Sequence, residues 1–255
     1  MTNGAAIEAK ALGLRTRRER VFHDVDLDVA PGGLVAIAGP NGSGRTSLLL
    51  ALAGRFPVNQ GTLRVAGQDL PRHSRRVQRL ASLGYVPGVH EPEPSLTAVE
   101  HVTERLLLTG DAPLWPRQRK ALARRLLADS AYHGDPDVLG RDLGAYQRQL
   151  LCLALATLEQ PKLVAVDALD TDVSVDELTS LWDELRKLAD TGVTVIAVCR
   201  EFPDGDVPGG VDQVVTLPAV PADEPETASV LDPNAEAEPL TTTDSPVVPE
   251  EGEPS

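Results

Sequence analysis

Gly39-Pro40-Asn41-Gly42-Ser43-Gly44-Arg45-Thr46-Ser47 is a phosphate-binding loop in all but one letter, because Arg45 stands where the motif carries lysine. Ahead of it runs the apolar stretch Leu34-Val35-Ala36-Ile37-Ala38, and behind it Leu48-Leu49-Leu50-Ala51-Leu52-Ala53, closed by Gly54. These runs predict a buried strand feeding a helix that Gly54 stops. Such a setting is what separates a phosphate loop from a chance match. Glycines at 39, 42 and 44 let successive backbone N–H groups converge on an anion at a helix N-terminus, where the dipole favours negative charge. Thr46 keeps the hydroxyl that ligates magnesium. Arg45 brings a wide, planar, permanently charged fork in place of a compact ammonium. Nucleotide binding through residues 39–47 is therefore expected, with the outer phosphate poorly placed. A glycine-rich turn without a ligand is the alternative.

The chain has 255 residues, enough for one full core and an appendage. Its formal charge of −14 is uneven: no Lys or Arg follows Leu217, while ten acids from Asp223 to Glu253 stand among prolines. Residues 1–217 are thus expected to form the domain and residues 218–255 a disordered, acidic, Pro-rich tail. Without the tail, 28 acids face 24 bases, leaving about −4 and no basic bias that would suggest nucleic acid. Cys152 and Cys199 both lie in apolar runs without metal-site neighbours, as reduced buried thiols of a cytoplasmic protein do. Met1-Thr2-Asn3-Gly4 opens no signal-type segment, and the longest apolar run, Leu150 to Leu158, is too short to cross a bilayer. Direct membrane insertion is not expected; membrane association would come through another chain.

Val25-Asp26-Leu27-Asp28-Val29 alternates as a half-exposed strand does, and Thr62-Leu63-Arg64-Val65 does so more weakly before Gly67. Together they predict an N-terminal antiparallel β element. Leu163-Val164-Ala165-Val166 and Val193 to Val198 are continuous apolar runs alternating with helical segments, the pattern of a parallel α/β core. Between Pro87 and Leu143 the pattern turns helical. Thr97 with Glu100 reads as a capping box, Gly110 as that helix's end, and Arg117 to Leu127 as a second, arginine-rich helix. Its basic residues Arg117, Arg119, Lys120, Arg124 and Arg125 read as a solvated face.

The order of these segments resembles the nucleotide-binding domain of the ATP-binding-cassette (ABC) family over nearly all of residues 7–217. After the loop, Gly84-Tyr85-Val86-Pro87 is similar to the strand leading to the Q-loop. A helical subdomain at about 89–147 ends on Leu143-Gly144-Ala145-Tyr146-Gln147-Arg148-Gln149, at the place of the family signature. Leu163 to Asp167 resembles the Walker B strand, and Cys199-Arg200-Glu201 ends the strand that carries the family's switch histidine. The resemblance implies a P-loop α/β fold of ABC type, ATP and Mg2+ as ligands, Thr46 and Asp167 at the metal, and action beside a second cassette and a polytopic membrane protein.

Departures from that pattern are systematic. The Q-loop glutamine is Gly88, and the signature's serine and glycines are Gly144, Ala145 and Tyr146. The general-base glutamate after Asp167 is Ala168, the switch histidine is Arg200, and the D-loop aspartate is Ser174. The adenine-stacking aromatic falls near Arg15 or Thr16. A missing general base forfeits about a hundred- to ten-thousand-fold in rate, whereas a nest of backbone amides is untouched by these changes. Ser174 with Glu177 also reads as a capping box for the next helix. The expectation is a cytoplasmic subunit that binds ATP and hydrolyses it poorly, with no catalytic side chain assigned. Two alternatives stay open: a working transporter ATPase in which Arg45 and an acidic neighbour such as Asp170 or Asp172 substitute, and a structural adaptor without turnover that recruits its partner through the tail.

Overall fold

The computed structural model describes residues 4–219 apart from 18, 203–206 and 208. The expected tail lies outside the described residues except for Pro218 and Ala219. All the described residues belong to one compact unit.

Two sheets organise it. The first is antiparallel, in the order β2-β1-β4-β5, from Ile7–Arg15 (β1), Arg20–Val29 (β2), Gln60–Val65 (β4) and Gln68–Leu70 (β5). The second is parallel, in the order β6-β7-β8-β3-β9, from Leu34–Ala38 (β3), Ala81–Leu83 (β6), Leu163–Val166 (β7), Thr194–Val198 (β8) and Gln213–Thr216 (β9). Every residue of β3, β7 and β8 is buried, which is why these strands read as unbroken apolar runs.

Successive side chains of a strand point to opposite faces, and the two faces here meet different partners. Val35, Ile37, Leu163, Ala165, Ile196 and Val198 pack with Leu48, Leu49 and Leu52 of helix α1 (Arg45–Leu52) and with Ile7, Leu12, Phe22 and Leu27 of the antiparallel sheet. Ala36, Ala38, Val164, Val166, Val195 and Ala197 pack on the other side, against α3 (Ala98–Thr109), α5 (Ala145–Thr157) and α6 (Val175–Asp190). Helix α2 (Ser74–Gln78) is short, and α4 (Pro116–Ala128) pairs with α3.

Local signals give the helix ends. Thr97/Glu100 and Ser174/Glu177 both form complete capping boxes, and Gly110 closes α3 in the left-handed conformation. The arginine-rich helix α4 turns its cations outward: Arg124 and Lys120 reach Asp137, and Arg125 reaches Asp129. One strand lies slightly earlier than the sequence suggests. β6 ends at Leu83, so Gly84-Tyr85-Val86-Pro87 is the connection that follows it rather than the strand itself.

Cys152 and Cys199 are buried and free, and burial is the main cause that pushes both thiols up to about 12. An ordinary thiol ionises near 8.5, so at pH 8 neither thiolate is populated in the native protein. A thiol–disulfide reagent should leave both cysteines unmodified at pH 8 and label both on denaturation. The folded pKa is the higher one, so stability is full below about pH 8.5 and declines as the pH rises toward 12. Urea midpoints at pH 8 and pH 10 should show that fall.

Candidate nucleotide site

The parallel register brings the ends of three strands together. Ile37 pairs with Val198, and Val166 with Ala197, so residues 39, 167 and 199 follow at the same edge of the sheet. In open parallel sheets this carboxyl edge is where ligands are held. The loop 39–44 leaves β3 there and enters α1 directly, with Gly44 at the N-cap.

The backbone of the loop has the conformation that its glycines permit. Gly42 and Gly44 have φ of 80° and 85°, in the left-handed region. Gly44 also lies against strand β2, where a Cβ would be driven into the Val21 carbonyl and within 3.2 Å of Phe22 Cβ. No other residue fits there without moving β2. Gly42 by contrast faces open space, and with Val21 the loop residues 41–47 line an open cavity of about 380 Å³. Ser43 is 1% exposed, and its hydroxyl has no hydrogen-bond partner among the described residues. A buried hydroxyl without a partner inside a glycine loop is suited to a phosphate oxygen. Cavities of similar size lie elsewhere, including one of about 330 Å³ bordered by Arg55, Arg79 and Arg105, but that one is lined by none of the loop residues.

Asp167 follows β7 and is 5% exposed. Its Oδ2 accepts from the Thr46 hydroxyl at 2.6 Å, and its Oδ1 accepts from the Ala168 backbone N–H at 2.7 Å. The hydroxyl and carboxylate expected at the metal, 121 residues apart in sequence, are therefore adjacent. Their all-oxygen chemistry suits Mg2+, and with the loop they fit a magnesium–nucleotide.

Arg45 is anchored at both ends of its fork. Nη1 donates to the backbone carbonyl of Cys199, just past β8, and Nη2 donates to Asn41 Oδ1 at 3.2 Å. Sequence alone gave no sign of the Cys199 contact, because acceptor and donor are 154 residues apart.

Around Asp167 the catalytic positions carry other chemistry. Ala168 presents a methyl at φ 50°, and its carbonyl accepts from Gln149 Nε2 at 3.3 Å. Asp170 Oδ2 accepts from both the backbone N–H (2.9 Å) and Nε (3.3 Å) of Arg200. The arginine at the switch position is thus engaged by the acidic neighbour. Asp172 is exposed, with φ 57°. Gly88 has φ 70°, and its N–H donates to Glu91 Oε1 at 2.6 Å. At the signature, Gly144 is the N-cap of α5, with Ala145 and Tyr146 opening the helix. Thr16 and Glu19 bond to each other across the β1–β2 turn, and Asn59 holds the backbone of Arg15.

Comparison with known proteins agrees with this architecture. The model of a family described as ABC transporter matches residues 22–169. The chain belongs to the ABC transporter family. It is 31% identical to the cytochrome c biogenesis ATP-binding export protein CcmA 2 of Cupriavidus metallidurans, over 78% of this chain and 92% of that protein. It is 28% identical to the L-cystine transport system ATP-binding protein TcyN of Escherichia coli, over 78% and 81% of the two chains. A putative ABC transporter ATP-binding protein of Streptomyces avermitilis is 32% identical over 77% of this chain, which spans only 34% of that protein's length. Among solved structures, the dimeric bacterial ABC transporter cassette MJ0796 superposes with a TM-score of 0.67 at 18% identity, covering 84% of this chain and 94% of that one. The P-loop fold of ABC cassettes, with its parallel and antiparallel sheets, is thereby established. No helix among the described residues is long and apolar enough to cross a membrane.

Proposed function

We propose that this chain is an ATP-binding ABC subunit whose own site hydrolyses ATP very slowly, and that it serves as the regulatory or degenerate partner in an ABC transporter-like complex. Residues 39–47 would hold the phosphates, and Thr46 and Asp167 the magnesium. Bound Mg2+ would supply charge neutralisation at the phosphates, while Asp167 orients the Thr46 hydroxyl and the Ala168 N–H. Loop amides and the Ser43 hydroxyl would bind and position the nucleotide.

The observation that carries the reading is the pairing of Ala168 with a closed Arg200–Asp170 contact. A methyl cannot accept a proton from water, and the carboxylate two residues on, Asp170, is tethered through Oδ2 to the backbone and Nε of Arg200, with only its buried Oδ1 left without a partner among the described residues. A general base must lie within hydrogen-bond reach of the proton it takes. The relatives named above are ATP-binding parts of transport or export systems, which supports a second cassette and a polytopic membrane protein as partners at the cytoplasmic face. An active ATPase is the rival reading, favoured by the intact Thr46–Asp167 pair. Binding is tested by thermal-shift and tryptophan-fluorescence titration of the full chain with ATP, with and without Mg2+. Saturable, Mg2+-enhanced stabilisation is expected; no response up to millimolar ATP would remove the nucleotide from the proposal.

A further inference from the structure

We infer that Arg45 makes this loop a site that prefers a nucleoside diphosphate over a triphosphate. The inference rests on the nucleotide reading above and concerns the one loop residue whose side chain differs from the motif. In a phosphate loop the side chain at this position serves the outer phosphates. Here its charged end does not hang free over the loop. It is tied to Asn41 Oδ1 within the loop and to the Cys199 carbonyl beyond β8, so the guanidinium bridges the loop and the end of the neighbouring strand.

Three properties make that bridge an obstacle to a third phosphate. The guanidinium is planar and wide, so it cannot draw back along its own axis as an ammonium can. Both of its anchored nitrogens would have to exchange acceptors, and Cys199 is fully buried, so withdrawing Nη1 takes a donor from a carbonyl inside the protein. The cation at the neighbouring strand end, Arg200, is itself tethered through Nε to Asp170 Oδ2 rather than to the loop. A diphosphate asks for none of these changes. It would use the loop amides and Ser43, with the Arg45 charge left in place nearby. A resting state loaded with diphosphate, entered by triphosphate only when Arg45 swings away, follows for this chain.

The test is calorimetric titration of the full chain with ADP and with ATP, each with Mg2+, in the unmodified protein and in Arg45→Lys. The unmodified protein should bind ADP about tenfold more tightly than ATP, the scale of one or two hydrogen bonds broken. Arg45→Lys should bring the two affinities within about threefold or reverse their order. Asn41→Ala, which frees one end of the fork while leaving the charge, should narrow the gap part-way. ATP bound as tightly as ADP by the unmodified protein, or a ratio unchanged in Arg45→Lys, would overturn the inference while leaving the nucleotide site standing. Failure of both nucleotides to bind would overturn the site itself.

Discussion

Replacing Gly44 with alanine is expected to destabilise the protein by about 2–5 kcal/mol, lower its Tm by roughly 4–20 °C and abolish nucleotide binding. Two effects add. A non-glycine residue at φ 85° pays about 1–2 kcal/mol for the left-handed conformation. The new methyl also meets the Val21 carbonyl and Phe22 Cβ. Relieving that collision means shifting β2, and overpacking of this kind costs about 1–3 kcal/mol. The control is Gly42→Ala, at φ 80° but facing open space. It should carry only the conformational cost, so its Tm should fall by about half as much or less. Urea or thermal unfolding of the two variants side by side measures the difference, and equal losses would show that the approach of β2 to the loop is not what Gly44 serves.

Asp167→Ala is expected to remove the magnesium dependence of nucleotide affinity. Asp167 is nearly buried, accepts from Thr46 and from the Ala168 N–H, and is the carboxylate at the end of β7. Hydrogen bonds to a charged group are worth about 1.5–3 kcal/mol, which corresponds to a tenfold to hundredfold weaker affinity for Mg2+–nucleotide. Affinity measured in the presence of a chelator should change little, because the loop amides are untouched. A variant that still binds more tightly with Mg2+ than without would place the metal elsewhere.

Much of this fold could be read from the chain because its signals are local. The two capping boxes each depend on residues three positions apart, and the loop on one stretch of nine. The apolar strands β7 and β8 announce themselves by being buried on both faces. Strand β1 did not, since Ala11 at φ 46° and the accompanying register shifts interrupt its alternation. The five-residue helix α2, the three-residue strand β5 and the edge strand β9, whose Val214 is exposed, are too short or too mixed for periodicity to reveal. At the site, the Thr46–Asp167 pair was expected from motif chemistry. The Arg45–Cys199 and Arg200–Asp170 contacts were not, because each depends on how far-apart strand ends meet. They change the meaning of the sequence departures, which become interlocking contacts rather than simple losses.

On the proposed reading, binding without turnover would distinguish this chain from a working cassette, and a single-turnover experiment measures both at once. The full chain is held in molar excess over γ-labelled ATP with Mg2+, the bound nucleotide is retained on a filter, and its label is followed over hours. ATP should be retained by the protein and recovered intact, with release of phosphate no faster than in the Asp167→Ala control. Conversion of the retained ATP to ADP and phosphate within minutes, lost in Asp167→Ala, would mean that the site hydrolyses ATP without the missing base.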